Sequence, residues 1–329
     1  MIRGGLVGVA ILIMTCSVAA TPGADDCPAE SKRPPQLVPF PPPVGNLHFL
    51  VWDLSQWTWW PFCGSSRPDE PTGQAAPEPL SPDEQRRLDD VLGAWERRSQ
   101  SIVRYRCTFR RWEYDPVFGT RDTFKTYSEG VIKYAAPDKG VFRVEKCLDW
   151  MPGEKPGDKP NFVPRQVCLE HWLCDGRWLY ELDSQHQQII QRELPAEVRA
   201  SAAARVGAPF LFGAPIEVMR QRYWLRLLPV PDGAQDQHWL EAVPRLRQDA
   251  ARYQRLHVII DQADLLPRGL VIFDRNFDSD RNPARTVYAF DNREVNWEDA
   301  GGAFGSKCGD PKLPEGWKKV VEILTESPR

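Results

Sequence analysis

The sequence predicts an α+β fold built around an antiparallel sheet. An amphipathic helix comes first, a group of strands follows it, short helices interrupt them near the middle, and strands then resume. Strands and helices do not alternate along the chain, as they do where crossover helices join parallel strands. The sequence also has no glycine-rich phosphate-binding loop, which agrees with an antiparallel sheet rather than a nucleotide-binding parallel one.

The N-terminus, residues 1–20, has the pattern of a secretory signal peptide. Arg3 supplies the positive charge, Leu6 to Met14 form the apolar run, and Val18 to Ala20 form a small-residue cleavage site. The apolar run is shorter than a helix that crosses a bilayer. We therefore expect cleavage after Ala20, a periplasmic or secreted protein, and no membrane span after the signal is removed.

Residues 21–80 are predicted to be a largely irregular extension, because 12 of the 31 prolines of the chain lie from Pro34 to Pro82. An aromatic segment, residues 48–63, interrupts this extension. Two interpretations of the segment stay open. It either folds back onto the main domain as a hydrophobic patch, or it is a docking peptide for a partner, a membrane surface or a cell-wall polymer.

The folded domain is predicted over residues 81–322, followed by a tail at 323–329. Ser81 and Glu84 form a capping-box pattern, with Pro82 at the first helical position. The helix is predicted to end near Arg98. One stripe of this helix is apolar and is expected to face the core. It consists of Leu88, Val91, Leu92 and Trp95.

Alternating and apolar segments predict the strands that follow the helix. They are Ile102 to Trp112, Phe124 to Tyr134, Val141 to Leu148, Tyr223 to Leu228, His238 to Val243, Arg252 to Asp261, Leu265 to Asp274 and Thr286 to Asp291. Residues 196–221 are predicted as short helices with a hydrophobic elbow. The arginines of the first strand are interpreted as a solvated outer face, and binding of an anionic lipid or phosphate is the alternative. They are Arg104, Arg106, Arg110 and the neighbouring Arg111.

A hairpin at 168–194 is the clearest local signal. Asp175-Gly176 between two aromatic-rich runs favours a two-residue turn, which would place Leu173 opposite Trp178 and His171 opposite Tyr180. Side chains alternate across a strand, so one broad apolar face is predicted for this hairpin. That face consists of Leu169, His171, Leu173, Trp178, Tyr180 and Leu182.

Several classes of function lack support in the sequence. The net charge of −3 comes without a basic block, which disfavours nucleic-acid binding. No nucleophile motif or zinc-protease motif occurs, so no catalytic residue or cofactor is predicted. Cys168, His171 and Cys174 have a metal-like spacing, but on a strand the histidine points away from the two cysteines, so no metal site is predicted. An enzyme of unrecognised type stays an alternative.

Export would place the cysteines in an oxidising compartment. Seven of the eight remain after the signal is removed, and an odd number leaves at least one thiol without a partner in the chain. Cys168 and Cys174 are too far apart along one strand to bond to each other. We predict a disulfide between Cys147 and Cys168, across adjacent strands.

The order of these signals resembles the LolA-like family of outer-membrane lipoprotein-sorting carriers, from Leu88 to about Val320. The matching pieces are SQSIVRYRCTF, SEGVIKYAAPDKGVFRVE, WLCDGRWLYELDSQHQQIIQREL, HWLEAVPRLRQDAARYQRLHVIIDQADLLPRGLVIFD and LPEG. The resemblance implies an unclosed antiparallel half-barrel with a helical lid over an apolar cavity. One departure is Ala136, where the carriers have an arginine that latches the lid.

The resemblance implies a protein that binds a lipid or a lipoprotein acyl chain, as a carrier or chaperone. The residues expected to form the cavity wall are Val103, Tyr105, Phe109, Leu173, Trp178 and Tyr180. The residues expected to form the lid are Phe210, Leu211, Phe212 and Met219. The alternative is an envelope sensor or scaffold that binds a protein partner through the 48–63 segment.

Overall fold

The computed structural model describes residues 71–72, 76–116, 123–136, 139–152, 161–165, 170–194, 215–297 and 313–322. These residues belong to one compact unit, Pro34–Arg329. The predicted signal peptide, the 48–63 segment and the lid residues Phe210, Leu211 and Phe212 lie outside the described residues.

Helix α1, Pro82–Gln100, begins at the predicted capping box. The Ser81 hydroxyl accepts a hydrogen bond from the Glu84 backbone N–H at 3.3 Å, and the Glu84 carboxylate accepts one from the Ser81 N–H at 2.8 Å. Leu88, Leu92 and Trp95 are buried, as the apolar stripe predicts. Within the described residues, two shorter helices follow, α2 (Ile216–Arg222) and α3 (Arg247–Ala250).

None of the helices in the described part of the chain is both long enough and apolar enough to cross a membrane.

Within the described ranges, 13 strands form a single sheet. Their bounds are β1 Arg104–Tyr114, β2 Thr126–Ala135, β3 Lys139–Met151, β4 Asn161–Pro164, β5 His171–Asp175, β6 Trp178–Asp183, β7 Gln188–Glu193, β8 Tyr223–Leu227, β9 Gln237–Pro244, β10 Tyr253–Asp261, β11 Pro267–Asp274, β12 Arg285–Val295 and β13 Lys318–Glu322. The order across the sheet is β13-β7-β6-β5-β3-β2-β1-β12-β11-β10-β9-β8, with β4 beside β3.

The sheet is open, with β8 and β13 at its two edges. Every pair of neighbouring strands is antiparallel except β13 and β7, which are parallel. The predicted antiparallel, unclosed sheet is therefore confirmed with one exception. The exception is a strand that the sequence analysis missed, because the five residues of β13 are all exposed and show no alternation.

The two faces of the sheet follow from the register, because residues directly opposite each other on neighbouring strands project to the same side. One row runs across seven strands on a single face: Leu240, Val258, Leu270, Tyr288, Arg111, Ser128 and Cys147. Leu240 and Val258 pack with Leu88, Leu92 and Trp95 of α1. We call the face that carries this row the helix face, and the other the opposite face.

Four clusters of buried apolar residues surround the sheet. The helix cluster joins α1 to β8, β9 and β10 on the helix face. The central cluster continues on the same face through β1, β2, β3 and β12. The hairpin cluster consists of Trp172, Cys174, Leu179 and Leu194. The fourth cluster contains Trp112, Val271 and Phe273, and lies on the opposite face.

The 168–194 hairpin forms with a register different from the predicted one. Leu173 pairs with Tyr180 and Cys174 with Leu179, so Gly176 and Arg177 are the turn residues instead of Asp175 and Gly176. The Asp175 carboxylate accepts hydrogen bonds from the backbone N–H groups of Arg177 (2.8 Å) and Trp178 (2.7 Å). Asp175 therefore ends its strand as an Asx-turn residue, and Gly176 takes the positive φ of 98°.

Candidate apolar binding surface

The six residues predicted to form one wall lie on two faces of the sheet. Tyr105 and Phe109 lie on the helix face, in the central cluster, and both are at most 1% exposed. The register places Leu173, Trp178 and Tyr180 together, as predicted for the hairpin, but on the opposite face. Val103 precedes β1 and is 57% exposed. The prediction that these six side chains line a single surface is therefore corrected.

The reason for the split lies in the pairing of β3. Phe142 pairs with Ile132 of β2 on one side and with Trp172 of β5 on the other. The helix face therefore continues through the even-numbered residues of β5, Trp172 and Cys174. Alternation within a hairpin shows which of its side chains lie on the same side. It does not show on which side of the neighbouring strands in the sheet those side chains lie.

Phe142, Trp172, Cys174 and Leu179 are the helix-face residues that the sequence analysis missed. Phe142 packs against both the central and the hairpin clusters, and its ring stacks on Phe109 with the ring centroids 4.8 Å apart. On the other side of β1, the rings of Tyr288 and Phe290 stack at 5.9 Å. The result is a continuous aromatic and aliphatic surface across β12, β1, β2, β3, β5 and β6.

Gly130 makes room for this stacking. It lies opposite Phe109 in β2, where a Cβ atom would be 2.7 Å from two ring carbons of Phe109 and closer still to the backbone carbonyl oxygen of Arg143. Glycine is the residue that leaves this space unfilled. The close packing of the Phe109 ring over β2 therefore depends on it.

Arg111 places a charge in the same face. Its side chain is 2% exposed, and it contacts Glu170 through two hydrogen bonds of 2.7 and 3.0 Å. Glu113 lies 3.0 Å from its Nε, and Nη2 donates to the Ser128 hydroxyl at 3.3 Å. Burial disfavours the guanidinium charge, but Glu113, Tyr288 and Glu170 together hold the pKa of Arg111 well above its ordinary value.

This burial corrects the interpretation of Arg111 as part of a solvated outer face. A signal for it was present in the sequence. Tyr105, Cys107 and Phe109 are apolar odd-numbered residues of β1, and Arg111 is the next member of that series. Arg106 and Arg110 lie on the opposite face, where they pair with Glu294 (2.6 Å) and Asp291 (2.8 Å) and are about one-third exposed or more.

The predicted lid is described only at Met219. This residue lies in α2, is 1% exposed and packs into the helix cluster. The Ile216 backbone N–H donates to the Glu96 carboxylate of α1 at 3.1 Å, and Arg220 pairs with Asp89. Helix α2 is therefore attached to α1, while the lid role of Met219 stays a prediction.

The described cysteines are buried and lie in strands. Burial raises the pKa of Cys107 to about 12 and also raises the pKa of Cys147, so both thiols are protonated at neutral pH. Among Cys107, Cys147 and Cys174, no disulfide is formed. The Cys147 sulfur lies 3.6 Å from the Ser128 hydroxyl. Cys168 lies outside the described residues, so the Cys147–Cys168 disulfide stays a prediction.

In the described ranges, no group of three or more histidine, cysteine, aspartate and glutamate side chains is arranged to hold a metal ion. His171 and Cys174 lie on opposite faces of β5, as the alternation predicts. The acidic stretch 274–282 forms a polar turn between β11 and β12. The backbone groups of Asp278 and Asn282 bond to each other there, at 2.9 Å in both directions.

His171 makes the stability of the fold sensitive to pH. Burial, with a contribution from the charge of Arg143, lowers the pKa of His171 below its ordinary value of about 6.5. Below that pH the unfolded chain binds more protons than the folded chain, so the free energy of unfolding falls as the pH decreases. We expect this fall between pH 7 and pH 5 to be shallower in His171→Gln than in the wild type, as measured by urea denaturation.

His186→Gln is the matched control, since its side chain is 63% exposed. If the pH dependence of His171→Gln equals that of the wild type, burial of His171 does not disfavour its protonation.

Comparison with known proteins gives matches at the level of structure. No protein-family model and no curated protein matches the sequence. LolA superfamily proteins are among the solved structures that this chain resembles. One, from Nitrosomonas europaea, has 13% identity and a TM-score of 0.30, over 64% of this chain and 94% of that chain.

Two other solved structures are similar. An uncharacterised conserved protein from Thermus thermophilus has 10% identity and a TM-score of 0.37, over 71% of this chain and 98% of that one. A chain of the MucA/MucB complex of Pseudomonas aeruginosa has 13% identity and a TM-score of 0.31, over 65% of this chain. This chain spans 59% of the length of that MucA/MucB chain.

Proposed function

We propose that this protein is exported to the periplasm and binds an apolar ligand on the helix face, as a carrier or chaperone. The ligand is a lipid or the acyl chain of a lipoprotein. The observation that carries the proposal is the apolar helix face beyond helix α1, whose residues in the central and hairpin clusters are each at most 8% exposed. Within the described residues, α1 packs against the β8 to β10 end, whereas the central and hairpin clusters contain no helix residue.

The chemistry of this surface suits a hydrocarbon chain. Its residues are mainly aromatic and aliphatic, and burial of a chain on such a surface contributes about 0.8 kcal/mol per CH₂ group. Arg111 does not offer a cation to an acidic ligand, because two carboxylates already contact it. Affinity would therefore come from apolar contact, which needs no catalytic residue and fits a protein that holds its ligand and releases it unchanged.

The proposal predicts that the protein carries lipid when it is purified. We expect native mass spectrometry of full-length protein purified from membranes to show lipid adducts, and extraction to recover that lipid. Phe142→Gln places an amide in the middle of the surface and is expected to reduce the bound fraction at least threefold, because burial of a polar amide is unfavourable. Val141→Gln is the matched control, as its side chain is also half-buried but lies on the opposite face.

Two outcomes would contradict the proposal. One is wild-type protein without any lipid adduct. The other is an equal loss of lipid in both variants while both remain folded by circular dichroism, since binding would then not depend on the helix face.

A second candidate function is an envelope sensor or scaffold. The aromatic segment at 48–63, which has six aromatic side chains between His48 and Cys63, favours it. Deletion of the segment is expected to abolish the capture of a protein partner and to leave lipid binding intact. Loss of lipid binding on deletion would instead assign the segment to the ligand site.

A further inference from the structure

Trp172 holds a buried hydrogen-bond donor without a partner. The residue is 5% exposed, and its Nε1 has no acceptor among the described residues. A buried donor left unpaired destabilises the fold, and most buried polar groups in proteins are paired. This donor lies on the helix face, in the hairpin cluster.

The neighbours of Trp172 explain why the donor stays unpaired. Its register partner in β6 is Glu181. That carboxylate contacts Arg192 at 2.7 Å, and Arg192 also contacts Glu322 at 2.6 Å. Its partner in β3 is Phe142, which has no acceptor in its side chain. The residues beside it in the hairpin cluster, Cys174, Leu179 and Leu194, are apolar or weakly polar.

We infer that the Trp172 indole N–H binds the carbonyl oxygen of an acyl chain, so that the ligand is an ester or amide of a fatty acid rather than a plain hydrocarbon. This inference rests on the proposed function. The carbonyl would satisfy the unpaired donor while the chain lies along the apolar residues of β3, β2 and β1. Phe142, the register partner of Trp172 in β3, is only partly buried and would contact the chain beside this carbonyl.

Trp150 supplies an internal control for this inference. Its Nε1 is also buried without a partner in the described part of the chain. However, Trp150 pairs with Phe162 of β4, which packs against the cluster on the opposite face. Trp150→Phe and Trp172→Phe therefore remove the same atoms from the two faces of the sheet. Neither substitution breaks a hydrogen bond of the described fold.

The experiment compares two short-chain lipids below their critical micelle concentrations, by isothermal titration calorimetry on the full-length protein. Dihexanoyl phosphatidylcholine has two ester carbonyls, and its dihexyl ether analogue has the same head group and chains without them. We expect the wild type and Trp150→Phe to bind the ester about three- to tenfold more tightly than the ether, the value of one neutral hydrogen bond. Trp172→Phe is expected to bind both lipids equally, at the level of the ether.

The outcomes separate the two proposals. If the wild type binds neither lipid, the proposed function fails. If the wild type binds both lipids with equal affinity, or if Trp172→Phe retains the preference for the ester, the lipid-binding function stands and the role of Trp172 is overturned. If Trp150→Phe also loses the preference, the effect is not specific to the helix face and the inference fails.

Discussion

Replacement of Arg111 by methionine is expected to lower the free energy of unfolding by about 2–4 kcal/mol. The substitution removes the guanidinium group and leaves Glu113 and Glu170 without the cation that lies between them. Removal of one partner from a buried ion pair typically costs about 3–5 kcal/mol. The two carboxylates here are 28% and 31% exposed, which allows some solvation and lowers the expected range.

Arg106→Met is the matched control for this measurement. Arg106 lies in the same strand as Arg111 and pairs with Glu294 of β12, but the side chains of this pair are 42% and 48% exposed. Exposed pairs contribute about 0–1 kcal/mol, so the control is expected to stay close to the wild type. Urea denaturation followed by circular dichroism gives both values. If both variants are destabilised equally, burial does not determine how much Arg111 contributes to the free energy of unfolding.

The second large loss of stability is expected for Gly130→Ala. A methyl group there would overlap the backbone carbonyl of Arg143 and the ring of Phe109. Overpacking costs about 1–3 kcal/mol, and a backbone atom moves away less easily than a side chain, so we expect about 3 kcal/mol of destabilisation. Gly140→Ala is the control, because its nearest neighbour is the carbonyl oxygen of Lys133 at 3.6 Å, an ordinary contact.

A double variant separates the two overlaps at Gly130. Phe109→Leu removes the ring but not the Arg143 carbonyl, so adding it to Gly130→Ala is expected to restore only part of the lost stability. The measurement is again the free energy of unfolding in urea. A Gly130→Ala protein as stable as Gly140→Ala would show that β2 and β3 can move apart at this position without cost.

The sequence was sufficient for features determined by nearby residues. The Ser81–Glu84 capping box predicted the start of α1, and the alternation within the 168–194 hairpin correctly grouped Leu173, Trp178 and Tyr180 on one face. Both depend on contacts between residues close in the chain. The turn register differed because Asp175 bonds to the backbone of the residues that follow it.

Features that depend on the order of the strands in the sheet could not be predicted from residues close in the chain. The helix face could not be followed from β2 to β5, because that requires the pairing of Phe142 with both Ile132 and Trp172. Strand β13 was missed for a related reason. It pairs in parallel with β7, a partner far from it in the chain, and its own residues show no buried face.

The pairing of β1 with β12 has a consequence for the order in which the chain folds. Thr108 and Asp291 pair at the centre of the sheet, yet they are 183 positions apart. Contacts of such long range form slowly, because a large loop must close before they stabilise the structure. The two halves of the sheet therefore remain separate until residue 295 has emerged.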